Sequence, residues 1–520
     1  MSVIDRRPDR AEVTALPELS AFRLRPSPRV IAVAAGYGFL LWAIAIVLFS
    51  PNGWLPVALA AASTALLSFD RKLGPIPAAL FVMLALPVGR GSEVGLPRIL
   101  GDIPVRAHDV VPLVALALAG PAAVRRLTRP RSLPWSSLVP LLAFAAVGAA
   151  ALVVGLLGGQ AVRDIVRDSR WWAFYGIGIL ALVAGARRAA ILRALIWGLT
   201  IYAMILIIGL LMPMFNGGLK YGAYAYDPRL RLHYGQAVFL LVGVAAVTDR
   251  LVRRPSFQLG SLLVLLSAAI ALTLTRTLLV GVLGVGIATA IWAALEMRRR
   301  TGRGRFQDLA LKTLPAIVLI GAGIGLGFTV YQFGTTIWTP EWAYAASDGG
   351  SGISGSPSDN RPVRPSLGRV FDDTENSGFG AQAGGRVTSY ALAVTDIAGS
   401  PLIGRGLGQQ ARIPWAWGGF RARAEGAQPG VDNAALTVGL KAGAIGIAVF
   451  AAMMLWPLRQ MLAGRMRRVR SWYIPAWVAL LGLMLIQSYA VSGYAPFALV
   501  LLLILPGTEW SGARRSSPSD

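Results

Sequence analysis

The sequence predicts an all-α protein: a polytopic membrane helical bundle of about 12–14 transmembrane helices with one large extracytoplasmic loop. Three observations carry that expectation. Hydrophobic residues make up 55% of the 520 residues and charged residues only 14%. Apolar stretches recur from Val30 to Leu505, many close to the roughly 20 residues that cross a hydrocarbon core of about 30 Å. Arginines and lysines fall in short groups between those stretches, which is how orientation signals are distributed. Lipid offers the backbone no hydrogen-bond partner, so long apolar runs imply helices, and the alternation of a membrane β-barrel is absent.

In chain order, residues 1–28 are polar and Arg-rich and read as a cytoplasmic tail, not a signal peptide, because no short apolar core with a small-residue cleavage site follows. The transmembrane bundle of 29–332 holds about 11 spans, near 30–49, 54–69, 73–89, 107–124, 136–158, 170–186, 190–212, 235–249, 256–274, 277–297 and 311–332. A large extracytoplasmic loop occupies 333–433. C-terminal transmembrane helices follow over 434–507, near 434–457, 472–489 and 491–507, the last pair readable also as one span and a re-entrant segment; 508–520 is a second cytoplasmic tail.

With the N-terminus inside, the inner connectors carry Arg71–Lys72, Arg125/Arg126/Arg129/Arg131, Arg187/Arg188/Arg193, Arg250/Arg253/Arg254, Arg298–Arg300 and Arg465/Arg467/Arg468/Arg470, and Arg514–Arg515 also falls inside. No span needs inverting, so both termini are expected to be cytoplasmic. The net charge of +25 is therefore assigned to membrane topology, and no nucleic-acid partner is expected. There are no cysteines, and the two histidines, His108 and His233, form no zinc motif, so neither a metal nor a cofactor is expected.

In the loop, Ser347 to Gly385 is rich in Gly, Ser, Pro, Asp and Asn, the composition of a flexible segment. Val387, Tyr390, Ala391, Val394 and Ile397 then share one helical face, which Gly399 and Pro401 end. Two readings stand for this helix: one lying on the membrane surface, or one that only packs within the loop. The glycines from Gly404 to Gly408 resemble a phosphate cradle only superficially, since no Lys-Ser/Thr pair follows and no strand precedes. A tight turn approaching the membrane is expected there.

Some arginines remain on the outer side. Arg90, Arg98 and Arg106 show no pattern, whereas Arg163, Arg167 and Arg170 precede Trp171–Trp172, and Arg229 and Arg231 precede the eighth span. Arg163 and Arg167 have Asp164 and Asp168 at hand to neutralise them. From Leu259 to Leu295 the only charge is Arg276. A single helix of that length would be roughly 55 Å, far beyond the bilayer core, so the run must break at Thr273–Thr277 and put Arg276 at the outer boundary. An arginine there either snorkels to headgroups or faces the protein interior and pairs. Guanidinium groups gathered at an outer surface suit a membrane-bound diphosphate.

These segments together resemble the O-antigen ligase and O-antigen polymerase family of bacterial membrane glycosyltransferases. The likeness rests on Thr275-Arg276-Thr277, Arg386 ahead of the loop helix, Pro401-Leu-Ile-Gly-Arg-Gly-Leu-Gly408, Asp432-Asn433-Ala-Ala-Leu436 and Gly443-Ala-Ile-Gly446, in that order, over roughly Arg163 to Phe450. Ligases of the family usually have His before the Asn; here it is Asp432, which shifts the expectation towards a polymerase. The resemblance implies a GT-C-like architecture in the bacterial inner membrane with its site on the outer face. It implies an undecaprenyl- or other polyprenyl-diphosphate glycan donor, a glycan or lipid acceptor, and no nucleotide sugar or essential metal. Arg276 and Arg386, with Arg170 and Arg231, would hold the diphosphate; Asp432, supported by Asn433, would take the acceptor proton, or else Asp432 only caps the following helix. A lipid-linked oligosaccharide flippase is the rival, disfavoured because charges avoid the span centres, with Lys441 the nearest exception.

Overall fold

A computed structural model describes residues 27–49, 54–86, 98–99, 103–129, 133–211, 235–273, 275–301, 306–337, 379–411, 430–462, 470–487, 489–491 and 495–508. Among them the architecture is a polytopic helical bundle. In chain order the helices are α1 (Pro28–Phe49), α2 (Leu55–Leu67), α3 (Pro75–Ala85), α4 (Ala107–Leu127), α5 (Trp135–Leu157), α6 (Val162–Ala184) and α7 (Arg188–Leu211). They continue with α8 (Leu240–Arg253), α9 (Phe257–Leu272), α10 (Arg276–Thr301), α11 (Phe306–Ile337), α12 (Phe379–Ala398), α13 (Ala434–Leu462), α14 (Arg470–Met484) and α15 (Ala495–Thr508). A two-residue antiparallel pair, Arg98–Ile99 with Ile103–Pro104, precedes α4.

Each apolar stretch expected to span contains a helix. Seven of them, α1, α4, α5, α7, α10, α11 and α13, are long and apolar enough to cross a membrane. Another five, α2, α3, α9, α14 and α15, are apolar but shorter. The break expected in the Leu259–Leu295 run lies where predicted: α9 ends at Leu272 and α10 starts at Arg276.

The helices touch through small residues where backbones come close. On α11, a Cβ at Gly323 or Gly327 would lie 2.6 and 2.4 Å from the Val264 and Ala268 carbonyl oxygens of α9. Such close approach is the means by which helices associate where lipid removes the hydrophobic drive between them. Three buried aromatic tips are hydrogen-bonded to backbone: the hydroxyl of Tyr175 donates to Ala490 O (2.8 Å), that of Tyr473 to Leu502 O (2.9 Å), and Trp477 Nε1 to Met454 O (2.9 Å). Phe144 of α5 stacks on Trp172 of α6 at 4.1 Å and meets Phe450 of α13 at 5.6 Å.

Connectors that the charge pattern assigns to one side touch one another. Arg29 Nε donates to Phe69 O (2.6 Å) and Arg193 Nη1 to Lys72 O (2.8 Å). The Arg126 guanidinium lies where a side chain on Gly185 would project. Arg253 bridges Asp249 (2.9 Å), Glu296 (2.5 Å) and Ser471 (2.9 Å), tying α8, α10 and α14 together. These contacts define one end of the bundle.

Candidate functional site

The opposite end is built from part of the segment expected to form the outer loop. α12 runs parallel to the first half of α13. The Tyr390 hydroxyl donates to the Asp432 carbonyl at 2.7 Å, and seven residues further along both chains Ile397 packs on Gly439. This helix therefore packs lengthwise against α13. Its buried face is Ser389, Ala393 and Asp396, with Tyr390 and Ile397 of the predicted apolar face packed beside them, while Val394 of that face is 54% exposed.

After α12 the chain reverses around Ser400, whose hydroxyl donates to Gly404 O (2.7 Å). Here α13 is broken: Gly443 sits at φ 64°, ψ −162°. A broken helix leaves carbonyls without donors below the break and N–H groups without acceptors above it. The hairpin supplies both. Leu440 O and Lys441 O accept from Arg405 N (3.1 Å) and Gly406 N (3.0 Å), and Ala444 N and Ile445 N donate to Pro401 O (2.8 Å) and Leu402 O (3.3 Å). Irregular backbone at this depth is tolerable only where protein satisfies it. Ile445 lies about 17 Å along α13 from its start, by the 1.5 Å rise per residue. The expected tight turn near the membrane is thus a re-entrant hairpin, Gly399–Ala411, inserted between α5, α6 and α13.

The returning strand is pinned by charge. Leu407 N donates to Ala151 O (2.9 Å) of α5, and Gly408 N donates to Asp168 Oδ2 (2.8 Å) of α6. Lys441, fully buried, pairs with the same carboxylate and donates from Nζ to Gln409 O (2.9 Å). Gln410 Nε2 donates to Asp164 Oδ2 (2.5 Å), Gln160 Nε2 to Gln409 Oε1 (3.1 Å), and Arg167 pairs with Asp164 (2.9 Å). Asp164 neutralises Arg167 as expected, whereas Asp168 is engaged by Lys441.

The predicted site residues stand as follows. Asp432 and Asn433 lie at the mouth of this end. Asn433 caps α13: its Oδ1 accepts from Leu436 N (3.0 Å) and its Nδ2 donates to Leu485 O (3.0 Å). Asn433 therefore supplies a side-chain cap for α13. Arg170 makes an ion pair with Asp109 (3.3 Å) at the head of α4, so one carboxylate already shares it. Arg386 lies on α12 one turn before Tyr390, and Arg276 opens α10, whose far end meets Arg253 through Glu296. Only the backbone position of these two arginines is described, and Arg231 lies outside the described residues. The sequence reading missed Gln160, Gln409, the partnership of Asp168 with Lys441, and the break at Gly443. One signal was available: a lysine inside an apolar stretch must find a carboxylate. Among the described residues, no three or more His, Asp or Glu side chains gather as metal ligands would. No protein-family model and no curated protein matches the chain.

Proposed function

We propose that the protein is a membrane glycosyltransferase of surface polysaccharide assembly, acting as a polysaccharide polymerase at the outer face of the bacterial inner membrane. One observation supports the reading above others. Four separate segments, Arg163–Arg170, Tyr390–Ala411, Asp432–Leu436 and Gly443–Gly446, join in one hydrogen-bonded unit at the end away from the basic clusters. Three of them carry the family-like motifs.

In the proposed reaction the anomeric carbon–oxygen bond to a polyprenyl diphosphate breaks. A hydroxyl oxygen of the acceptor glycan bonds to that carbon from the other face, so the configuration inverts. Asp432 takes the hydroxyl proton. Arg276 and Arg386, helped by Arg170 and Arg231, stabilise the charge that grows on the departing diphosphate. A ligase would use the same chemistry with a lipid or surface anchor as acceptor.

Transport is the second reading, and a specific feature favours it: a discontinuous helix beside a buried ion pair is a device of transporters. The test is to delete the gene, restore it as wild type or as Arg276→Ala or Arg386→Ala, and profile lipid-linked and surface glycans. Polymerase predicts single repeats without a ladder in the deletion and in both variants, with normal protein level. Full ladders left on the carrier would mean a ligase, and repeats trapped on the cytoplasmic leaflet would mean a flippase. Full activity of both arginine variants would sink the phosphate assignment.

A further inference from the structure

We propose that Asp168 and Lys441 are positioning residues that act as a peptide clamp on the re-entrant hairpin. The two charges do more than face each other. Asp168 Oδ2 accepts the Gly408 N–H, and Lys441 Nζ donates to the Gln409 carbonyl, so each ion holds a backbone group of the returning strand. Both side chains are almost fully buried, at 2% and 0% exposure. Burying two ions is costly, and an apolar pair of similar volume would often stabilise as well. What an apolar pair cannot supply is a fixed acceptor for the Gly408 N–H and a fixed donor for the Gln409 carbonyl.

The clamp reaches the mouth of the site. Ala411, at the end of the clamped strand, packs in one cluster with Ala393 of α12 and with Val431 and Leu440. Val431 precedes Asp432, whose carbonyl Tyr390 holds. Releasing the strand therefore loosens the support beneath Asp432. This consequence for transfer rests on the transferase reading; the clamp itself is read without turnover.

The chain has no cysteine, so one placed at buried Leu407 is a clean reporter. Leu407→Cys is put into the full chain in membranes and its rate of modification by a small, membrane-impermeant maleimide is measured. In D168L/K441M the rate should rise roughly tenfold or more, the change expected when hydrogen bonds to charged groups no longer oppose local opening. Should that variant not accumulate, the milder D168N/K441M, which keeps an acceptor for Gly408, should show a smaller rise. The exchange D168K/K441D separates a clamp from a plain ion pair. It keeps opposite charges but aims a donor at a donor and an acceptor at an acceptor, so the clamp predicts fast labelling. Slow, wild-type labelling in the exchanged protein, or in both neutral variants, overturns the proposal. Fast labelling with an intact glycan ladder keeps the clamp and refutes its link to transfer.

Discussion

Asp432 has neighbours that separate its chemistry from its structure. The cap of α13 comes from Asn433, and the contact of Asp432 with Tyr390 runs through the Asp432 backbone carbonyl, which a side-chain change leaves in place. Asp432→Asn keeps the size of the side chain and an acceptor oxygen, and should leave protein level and thermal transition close to wild type. If the carboxylate is the general base, transfer should slow by about 10²–10⁴, the usual worth of such a group. The measurement is initial rate of glycan extension in purified, reconstituted protein at matched concentration. A fully active Asp432→Asn protein would remove the base. Asn433→Ala should do the reverse, lowering stability by about 1 kcal/mol through the lost cap.

The re-entrant hairpin and the broken α13 are each other's missing partners, and glycine is what lets them meet. Gly406 has φ +86°, and a Cβ there would sit 2.1 Å from the backbone nitrogen of Gly155. The nitrogen is backbone and a Cβ is fixed rigidly to its Cα, so neither can swing aside. A left-handed residue with a side chain costs about 1–2 kcal/mol before that overlap is counted. Gly406→Ala should therefore unseat the hairpin, lower the thermal transition in detergent, and expose a cysteine at Leu407. Gly176 of α6 meets nothing within 4 Å, so Gly176→Ala is the matched control and should be neutral or mildly stabilising. Equal behaviour of the two alanines would refute the packing account. The helices were legible because apolar length alone demands them, and the break before Arg276 followed from length too. The hairpin was not, because Pro401–Gly408 carries no period, and a glycine-rich stretch does not say what it docks against. The face of α12 was read in part: Tyr390 and Ile397 pack inward as the spacing predicts, but the closest approach is made through small residues such as Ser389 and Ala393, and Val394 turns outward. In the predicted site, the order of motifs led to Asp432 and Asn433, but nothing local could pair Asp168 with Lys441, which lie 273 residues apart.

At the scale of the whole molecule, two independent patterns divide the same helices into the same two ends. Arginine clusters, counted along the chain, fall in alternate connectors, the pattern of the positive-inside rule. Contacts then gather those connectors: Arg29 with the Phe69 carbonyl, Arg193 with that of Lys72, and Arg253 with Glu296 and Ser471. The hairpin, Asp432 and the head of α6 lie at the other end, and α10 connects the two, so Arg276 belongs with the hairpin end. Orientation across the membrane is then one binary question for the entire bundle. Thr128, after α4, and Ala161, before α6, are exposed residues at opposite ends. In spheroplasts, a membrane-impermeant maleimide should label Ala161→Cys at once and Thr128→Cys only after the membrane is permeabilised. The reverse result would turn the molecule over. It would carry Asp432, Arg276 and the hairpin to the cytoplasmic side, where a glycan donor displayed outside could not reach them, and the transferase reading would fail with it.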